Sequence, residues 1–514
     1  MIGVIRKFKT ASPAVKASMA LLFANLILKG ISLISGPIFT RIMSADQYGI
    51  VSTFQSWQSL LTVIVTLNLS QGVFNNGMLE FKENRDQFQF ALVVITAVCT
   101  GLFFLIFEIF KTPLLNMFEI PLVMVYVMVL YFLFVPAYQF WSGRQRYEYK
   151  YKALSIITVC IGLFSLLLGV LFVLNTSSEN EAIARVCAME GVNIVVGIFF
   201  FMIIAMKAKF KLRIDYCIYA LKFNIPLIPH YMSMYILASS DRIMITKMID
   251  TTSTAIYSVA YTVASVIQIL WTSIEASLSP WIYERLDVQD EESVRKTSGQ
   301  IILTFAVFCL GCTLFAPEIM TILAPDSYKA GIYAIPAIAG GVYFTAVYSL
   351  YMRIELFYKK TTFATVASTI AAVSNIILNY IFIKLFGFVA AGYTTMVCYA
   401  LLALLHYINV KKKKYDDAID NKKILVISIV VIVVSILISI LYSHRLLRYS
   451  FILIISLAAF AGYSGIQYDD FSITKFSNMY AFSALLVSLV SSEMYCVRCL
   501  TISVYVEKTY LKYI

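Results

Sequence analysis

Residues 235–245 read YILASSDRIMI and place an acid beside a base, Asp241 and Arg242, within an otherwise apolar run. Such runs fill the chain: 60% of its 514 residues are hydrophobic and 14% are charged, whereas soluble domains have about 45–50% and about 25%. Apolar stretches of about 20 residues recur along the whole sequence, each long enough to cross a bilayer as a helix. The composition therefore predicts an integral membrane protein.

Backbone groups inside a bilayer must be satisfied within the protein, so a spanning chain forms either helices or a closed barrel. The ten-residue alternating segments of a barrel are absent from this sequence,. The sequence thus predicts an all-α polytopic membrane protein with about 14 transmembrane helices. We predict these spans: 18–40, 48–70, 88–110, 121–142, 153–174, 182–206, 223–241, 254–278, 299–316, 332–352, 362–383, 388–409, 424–442 and 449–466.

The distribution of Lys and Arg supports this span count. With the N-terminus on the cytoplasmic side, the predicted cytoplasmic segments hold 27 of these residues and the alternate loops hold 8, which is the bias of the positive-inside rule. The net charge of +12 is thereby assigned to the cytoplasmic face rather than to a nucleic-acid partner.

A basic loop near residue 210 separates six predicted spans from the next six. We expect an N-lobe over 1–210, a C-lobe over 211–410, two further helices over 411–466, and a tail over 467–514 that is long enough for an extra span. The two lobes show a weak internal repeat, because a proline, an arginine and an aromatic residue occur in the same order in each lobe. In the first lobe these are Pro37, Arg41 and Tyr48, and in the second they are Pro229, Arg242 and Tyr257,.

Three stretches carry a family resemblance: PIFTRIMSADQYGI (37–50), FNIPLIPHYMSMYILASSDRIMITKMIDTTSTAIYSVAYTV (223–263) and NIILNYIFIKLFGFVAAGYTT (375–395). In them the chain resembles Wzx-type polysaccharide biosynthesis flippases of the multidrug/oligosaccharidyl-lipid/polysaccharide exporter superfamily. The resemblance covers residues 1 to about 466. It implies a MATE-like architecture, in which two six-helix lobes surround a central cavity that opens alternately to either side of the bacterial inner membrane.

The resemblance also implies a substrate, an oligosaccharide repeat unit on undecaprenyl pyrophosphate that is moved to the outer leaflet for lipopolysaccharide O-antigen, capsule or exopolysaccharide synthesis. Membrane lipids are expected partners, and a polysaccharide polymerase and a chain-length regulator are candidate partners. No enzymatic activity, metal or cofactor is implied, although transport coupled to H⁺ or Na⁺ is compatible with the family.

Charges inside spans are costly and are therefore functional candidates. A pyrophosphate needs cationic contacts, and the candidates are Lys29, Arg41, Arg242 and Arg185. Arg41 and Arg242 occupy corresponding points of the repeat, near the outer ends of their helices, and arginine suits phosphate through paired donors. The alternatives are a local ion pair or an arginine that reaches the headgroups.

Tyr231 and Tyr235 share a helix face with Arg242 at i, i+4 spacing and are candidates for sugar contact; the alternative is an interfacial anchor. Asp241, Glu275 and Glu108 are candidates for ion coupling. Asn375 and Asn379, four residues apart, are expected to hydrogen-bond across helices as structural contacts.

Two other function classes remain open. A multidrug or cation antiporter of the same superfamily should place acids rather than bases in its cavity. A membrane glycan polymerase or acyltransferase needs a large outer loop or an intramembrane histidine with acid partners. The outer loops are short, and His230, His406 and His444 share no motif.

Overall fold

The computed structural model describes residues 13–358, 362–413, 415–444 and 446–450, which contain seventeen α-helices and no strand. Packing divides the chain into unit 1, which ends at Ala255, and unit 2, which begins at Ile256. Unit 1 holds α1 (Pro13–Ile42), α2 (Ala45–Val65), α3 (Val73–Glu80), α4 (Arg85–Ile109), α5 (Lys111–Phe118), α6 (Leu122–Tyr147), α7 (Tyr151–Leu174), α8 (Glu181–Lys207), α9 (Ile214–Asn224) and α10 (Ile228–Met248). The predicted lobes, with their boundary at 210, stay a prediction.

Unit 2 begins within the first turns of α11 (Thr251–Asp287). It continues with α12 (Glu291–Leu314), α13 (Ala316–Leu323), α14 (Ile335–Phe357), α15 (Thr362–Phe386), α16 (Val389–Lys412) and α17 (Asn421–Leu441). The turn between α15 and α16 requires a glycine, because Gly387 has φ +76°, in the left-handed region that side chains with a Cβ avoid. α14 lies at the centre of this unit and packs against α12, α16 and α17.

Eleven of the described helices are long and apolar enough to cross a membrane. Two further predicted spans correspond to α2 and α10, which are helical but do not reach that apolar composition. Nearly all of the fourteenth, 449–466, lies outside the described residues, as does the tail over 467–514. The chain is a multi-pass membrane protein with the predicted all-α fold, and its total of about 14 spans stays a prediction.

The polar character of α2 and α10 has a structural reason, because the two helices pack against each other in unit 1. The Thr53 hydroxyl lies 2.6 Å from the Thr246 hydroxyl, which lies 2.7 Å from that of Thr254. Gly49 lies so close to Thr251 that a Cβ on it would be 1.8 Å from the Thr251 carbonyl oxygen. The polar side chains therefore satisfy one another at a close backbone approach.

The start of α10 differs from the predicted span over 223–241. Pro226 lies in a short 3₁₀ turn (Ile225–Leu227) and Pro229 in the first turn of α10, where a missing backbone N–H is tolerated. The helix consequently starts later and runs to Met248. Asp241 and Arg242 therefore lie inside the helix, almost two turns before its end, rather than at the end as expected.

A charged network ties the end of α6 to the start of α4. Glu148 accepts hydrogen bonds from Arg144 Nε and Lys150 Nζ, both at 2.7 Å, and Arg144 also pairs with Asp86. Partial burial favours a higher pKa for Glu148, but the hydrogen bonds and charges of Lys150 and Arg144 outweigh it, so that the pKa lies below its ordinary value,.

This lowered pKa predicts a pH-dependent contribution of Glu148 to stability. The contribution is complete above the carboxyl's ordinary pKa and is lost as the pH falls through the lowered one. Glu148→Gln should reduce the stability at neutral pH by about 1 kcal/mol or less, since solvent screens the network. Thermal unfolding in detergent should show this difference at about pH 7 and a smaller one at about pH 3. An equal difference at both pH values would contradict the assignment.

Candidate functional site

The three predicted arginines of unit 1 are each held by a backbone carbonyl group. Arg41, at the end of α1, donates from NH1 to the carbonyl oxygen of Pro37 at 2.9 Å. Arg242, in α10, donates from NH1 to the carbonyl oxygen of Ala238 at 3.0 Å. Each arginine thus folds back onto the carbonyl four residues earlier, the same local geometry at the two corresponding points of the predicted repeat.

Asp241 is buried and accepts a hydrogen bond from the backbone N–H of Arg242 at 2.9 Å. Its carboxylate lies 3.8 Å from the Arg242 guanidinium, whose side chain is 14% exposed. At that distance the two groups form a loose ion pair. Asp241 therefore compensates part of the charge of Arg242. The carbonyl oxygen of Ala238 fixes the direction of the Arg242 guanidinium.

Arg185, on α8, reaches across two neighbouring helices. Its NH1 donates to the carbonyl oxygen of Ser165 at 2.9 Å, and its NH2 lies 3.4 Å from the Ser35 hydroxyl. The guanidinium carbon lies 3.9 Å from the centre of the Phe39 ring, a cation–π contact. A Cβ at Gly169 would lie 2.4 Å from Arg185 NH1, so this glycine leaves the space that the guanidinium occupies.

Tyr48, on α2, connects these cations. The charges of both Arg185 and Arg242 act on its hydroxyl, so α2, α8 and α10 bring the two arginines to one region of unit 1. We call Arg185, Arg242 and Tyr48 the arginine cluster. Arg41 lies two residues beyond Phe39, whose ring contacts Arg185, and therefore flanks the cluster.

Glu190 is a buried acid beside the cluster that the sequence reasoning missed. It lies on α8, is 3% exposed, and accepts a hydrogen bond from Asn193 Nδ2 at 2.9 Å. Its charge interacts with that of Arg185. Arg185 was identified because it is a charged residue inside a predicted span. Glu190 lies in the same span, predicted over 182–206, and could have been identified on the same ground.

Of the remaining substrate candidates, Tyr235 lies beside the arginine cluster, whereas Tyr231 and Lys29 lie further from it. Tyr235 lies close to Tyr131, which also lies close to Glu190, so Tyr235 adjoins the cluster. Tyr231 lies one helical turn earlier, with its hydroxyl near the loop at Gly72. Lys29 is exposed and precedes Arg41 by twelve residues, about 18 Å along a helix. The structure does not bring Lys29 to the cluster.

Two predicted ion-coupling acids lie in ion pairs elsewhere. In unit 1, Glu108 accepts hydrogen bonds from Lys111 Nζ at 3.3 Å and from the Tyr126 hydroxyl at 3.1 Å. In unit 2, Glu275 accepts from Arg353 Nε at 3.1 Å and NH2 at 2.6 Å. Arg353 was expected in a loop after residue 352, but α14 extends to Phe357 and includes it.

Asn375 and Asn379 form a polar chain between α15 and α16. Asn379 Nδ2 donates to Asn375 Oδ1 at 3.1 Å, and Asn375 Nδ2 donates to the Thr395 hydroxyl at 3.1 Å. The Thr394 hydroxyl donates to Asn379 Oδ1. Both asparagines are fully buried, and their bonds connect two helices.

Comparisons with solved structures show where this fold recurs. The lipid II flippase MurJ in an inward closed conformation aligns with a TM-score of 0.60 at 15% identity, over 87% of this chain and 99% of that one. An inward-facing multidrug resistance MATE family transporter of the MOP superfamily aligns with a TM-score of 0.57 at 12% identity, over 78% and 99%. A MOP superfamily transporter from Pyrococcus furiosus aligns with a TM-score of 0.51 at 13% identity, over 79% of this chain and 98% of that one.

At these identities the alignments establish the fold, and the expectation of a MATE-like all-α fold is confirmed. A search of curated protein sequences gives no match. The family model described as "Polysaccharide biosynthesis protein" matches residues 14–285. This range contains the arginine cluster, Asp241 and Glu190, and it is more than half of the sequence. The chain therefore belongs to the polysaccharide biosynthesis protein family.

Proposed function

We propose that the chain is a flippase that moves an oligosaccharide repeat unit, carried on undecaprenyl pyrophosphate, from the cytoplasmic to the outer leaflet of the bacterial inner membrane. The observation that carries the proposal is the arginine cluster, two partly buried cations whose charges both reach one tyrosine of unit 1. Cations at such positions are costly and default to function. In a polysaccharide biosynthesis protein, the anionic group that suits them is the phosphate of a lipid carrier.

The way in which the arginines are held favours phosphate binding. Arg185, Arg242 and Arg41 each donate to a neutral carbonyl oxygen at 2.9–3.0 Å. A carbonyl fixes the direction of a guanidinium without cancelling its charge, unlike a carboxylate at the same distance. Pre-oriented guanidinium groups bind phosphate through paired N–H donors, so an entering pyrophosphate would find cations already in place.

The family and the fold support the lipid carrier and the mechanism. Polysaccharide repeat units are assembled on lipid, and one structure that shares this fold is named a lipid II flippase. Movement by alternating access, a cytoplasmic N-terminus, and contact with a polymerase and a chain-length regulator are parts of the same proposal. Tyr231 and Tyr235 would contact the sugars. The coupling ion, H⁺ or Na⁺, would act through Asp241, Glu275 or Glu108.

A second candidate function, cation or drug export, is favoured by the buried carboxyl of Glu190. The fold is compatible with it, because a multidrug transporter aligns nearly as well as the flippase. Around the cluster the three arginines, Arg41, Arg185 and Arg242, are equalled in number by buried acids, because Glu181 joins Asp241 and Glu190 and accepts from the backbone N–H of Ser44 at 2.8 Å. The charge count therefore does not separate the two functions, and the orientation of the three guanidinium groups is what favours an anionic substrate.

A binding comparison separates the two candidates. The purified chain in lipid nanodiscs is mixed with ³²P-labelled undecaprenyl pyrophosphate or with ethidium, and the bound fraction is measured. We expect saturable binding of the pyrophosphate, competition by unlabelled pyrophosphate lipid, and only background binding of ethidium. Saturable ethidium binding that the pyrophosphate lipid does not reduce would establish the export function instead.

A further inference from the structure

The short helix α9, which joins α8 to α10 in unit 1, has an exposed apolar face. Ile214 and Ile218 lie one helical turn apart and are 68% and 60% exposed. The segment directly before the helix adds Phe210 and Leu212, which are also exposed. Four large apolar side chains of one short segment are therefore at the surface of the protein.

The opposite face of α9 is fixed in the core of unit 1. Tyr216 and Ala220 are buried and belong to the same apolar core as Phe88 of α4. The Tyr216 ring meets the Phe88 ring edge-on, with 6.1 Å between their centres. Because these contacts fix the rotation of the helix about its axis, Ile214 and Ile218 stay on the outer side.

Lysines flank this apolar face on both sides in sequence. All of them are exposed, and none takes part in an ion pair within the described part of the chain: Lys207, Lys209, Lys211 and Lys222. Between α8 and α9 the chain reverses through Lys209 and Phe210, whose φ angles are +53° and +55°. The Phe210 N–H closes this turn by donating to the carbonyl oxygen of Ala205 at 2.9 Å.

The acids near α9 are few. Asp215 is the single acid between residues 207 and 224, and it pairs with Arg213 at 2.7 Å, so that these two charges cancel. Glu80 ends α3, which packs against α9, and interacts with the hydroxyl of Tyr219. Positions 82–83 hold one lysine and one glutamate, both exposed. The four lysines therefore leave this surface with an excess of positive charge.

An exposed apolar face with unpaired lysines beside it suits the boundary of a bilayer that contains anionic lipid. Apolar side chains of such a helix enter the region between headgroups and acyl chains. Lysine side chains lay their apolar stems along that region and reach the phosphate groups with their ammonium groups. A free anion would satisfy the lysines but would leave Ile214 and Ile218 in water.

We propose that α9 and the turn before it form a binding surface for an anionic phospholipid of the surrounding membrane. Lys209, Lys211 and Lys222 contact the headgroup, and Ile214 and Ile218 enter the boundary of the acyl chains. This lysine–isoleucine surface contains no member of the arginine cluster. It is independent of the proposed function, because its ligand is a membrane lipid rather than the transported substrate.

The test is a titration of the full chain with phosphatidylglycerol in dodecyl maltoside, a neutral detergent, in which native mass spectrometry gives the Kd of the first bound lipid. Lys209→Gln/Lys211→Gln/Lys222→Gln should raise this Kd by about 10- to 100-fold, since each lysine near an anionic lipid contributes about fivefold. Ile214→Ser/Ile218→Ser should raise it by about tenfold or more through the loss of apolar contact. Phosphatidylcholine, which has no net charge, should bind about tenfold or more weakly than phosphatidylglycerol.

The matched control is Lys411→Gln/Lys412→Gln/Lys413→Gln, which removes the same charge from the end of α16, where acids follow at positions 417 and 420. This control should leave the Kd unchanged. A control weakened as much as the variant of the α9 lysines would show a dependence on net charge alone and would overturn the proposal. An unchanged Kd in the variant of the α9 lysines, equal binding of phosphatidylcholine, or displacement of the lipid by inorganic phosphate would each overturn it as well.

Discussion

Arg185→Ala and Arg242→Ala should each lower the affinity for undecaprenyl pyrophosphate by about 10- to 100-fold, since hydrogen bonds to charged groups contribute about 1.5–3 kcal/mol. Combined, they should reduce flipping to background. The physical reason is that each guanidinium is oriented by a carbonyl oxygen at 2.9–3.0 Å, and that the charge of Arg242 is only partly compensated by its loose ion pair with Asp241 at 3.8 Å. The measurement is the transfer of a fluorescent pyrophosphate-linked oligosaccharide across proteoliposome membranes, followed by quenching from outside.

The matched control is Arg213→Ala, which also removes one positive charge. Arg213 is exposed before α9 and pairs with Asp215 at 2.7 Å, so this variant should bind and flip the substrate normally. The conservative variants Arg185→Lys and Arg242→Lys keep the charge but lose the paired donors, and an intermediate loss is expected. Normal transport by the double alanine variant, at equal protein level, would refute a role for the arginine cluster.

Gly49→Ala should have the largest effect on stability. A methyl group there would lie 1.8 Å from the Thr251 carbonyl oxygen and 2.5 Å from its carbon. Both atoms belong to the backbone, so no side chain can rotate away, and α2 would have to separate from the start of α11. Overpacking of this kind costs about 1–3 kcal/mol or more. The expected result is a clearly lower melting temperature in detergent and a lower yield of folded protein.

Gly101→Ala provides the comparison, because Gly101 is also inside a helix but a Cβ on it would have no neighbouring atom within 4 Å. Alanine exceeds glycine in helix propensity by about 1 kcal/mol, so this variant should be as stable as the parent or slightly more stable. Equal melting temperatures for the two variants would show that α2 can move away from Thr251 without loss of stability.

The sequence predicted the fold well because a bilayer leaves the backbone few alternatives. Each of the fourteen predicted spans except the last, which lies almost wholly outside the described residues, coincides with a described helix. α2 and α10 are informative exceptions in composition, since Thr53 and Thr246 bond to each other and serines such as Ser52, Ser56 and Ser233 donate to carbonyl oxygens of their own helix. α10 starts later than the predicted span over 223–241, because Pro226 lies in a short 3₁₀ turn and Pro229 lies in the first turn of the helix.

The candidate site was predicted less completely, for two physical reasons. Arg185 and Arg242 stood out because positive charge inside an apolar run is rare, and the structure brings them together through Tyr48. Whether two arginines on different helices lie close together depends on how the helices pack, and this cannot be read from a single sequence. Arg353, the partner of Glu275, was missed because a predicted span ended at residue 352. A boundary only five residues too early placed Arg353 in a loop, although α14 includes it.

The hydroxyl chain of Thr53, Thr246 and Thr254 implies a rule for how this family member can change by mutation. Each of the three hydroxyls can donate or accept, but the two short contacts between them need compatible donors along the whole chain. Thr53 also donates to the carbonyl oxygen of Gly49 at 3.0 Å, and Thr254 to that of Asp250 at 3.2 Å, whereas Thr246 is bonded to these two hydroxyls. Valine at position 53 or 254 leaves Thr246 with one partner, but valine at both positions leaves its buried hydroxyl unsatisfied. In an alignment of relatives, sequences with aliphatic residues at both 53 and 254 should therefore have an aliphatic residue at 246 as well.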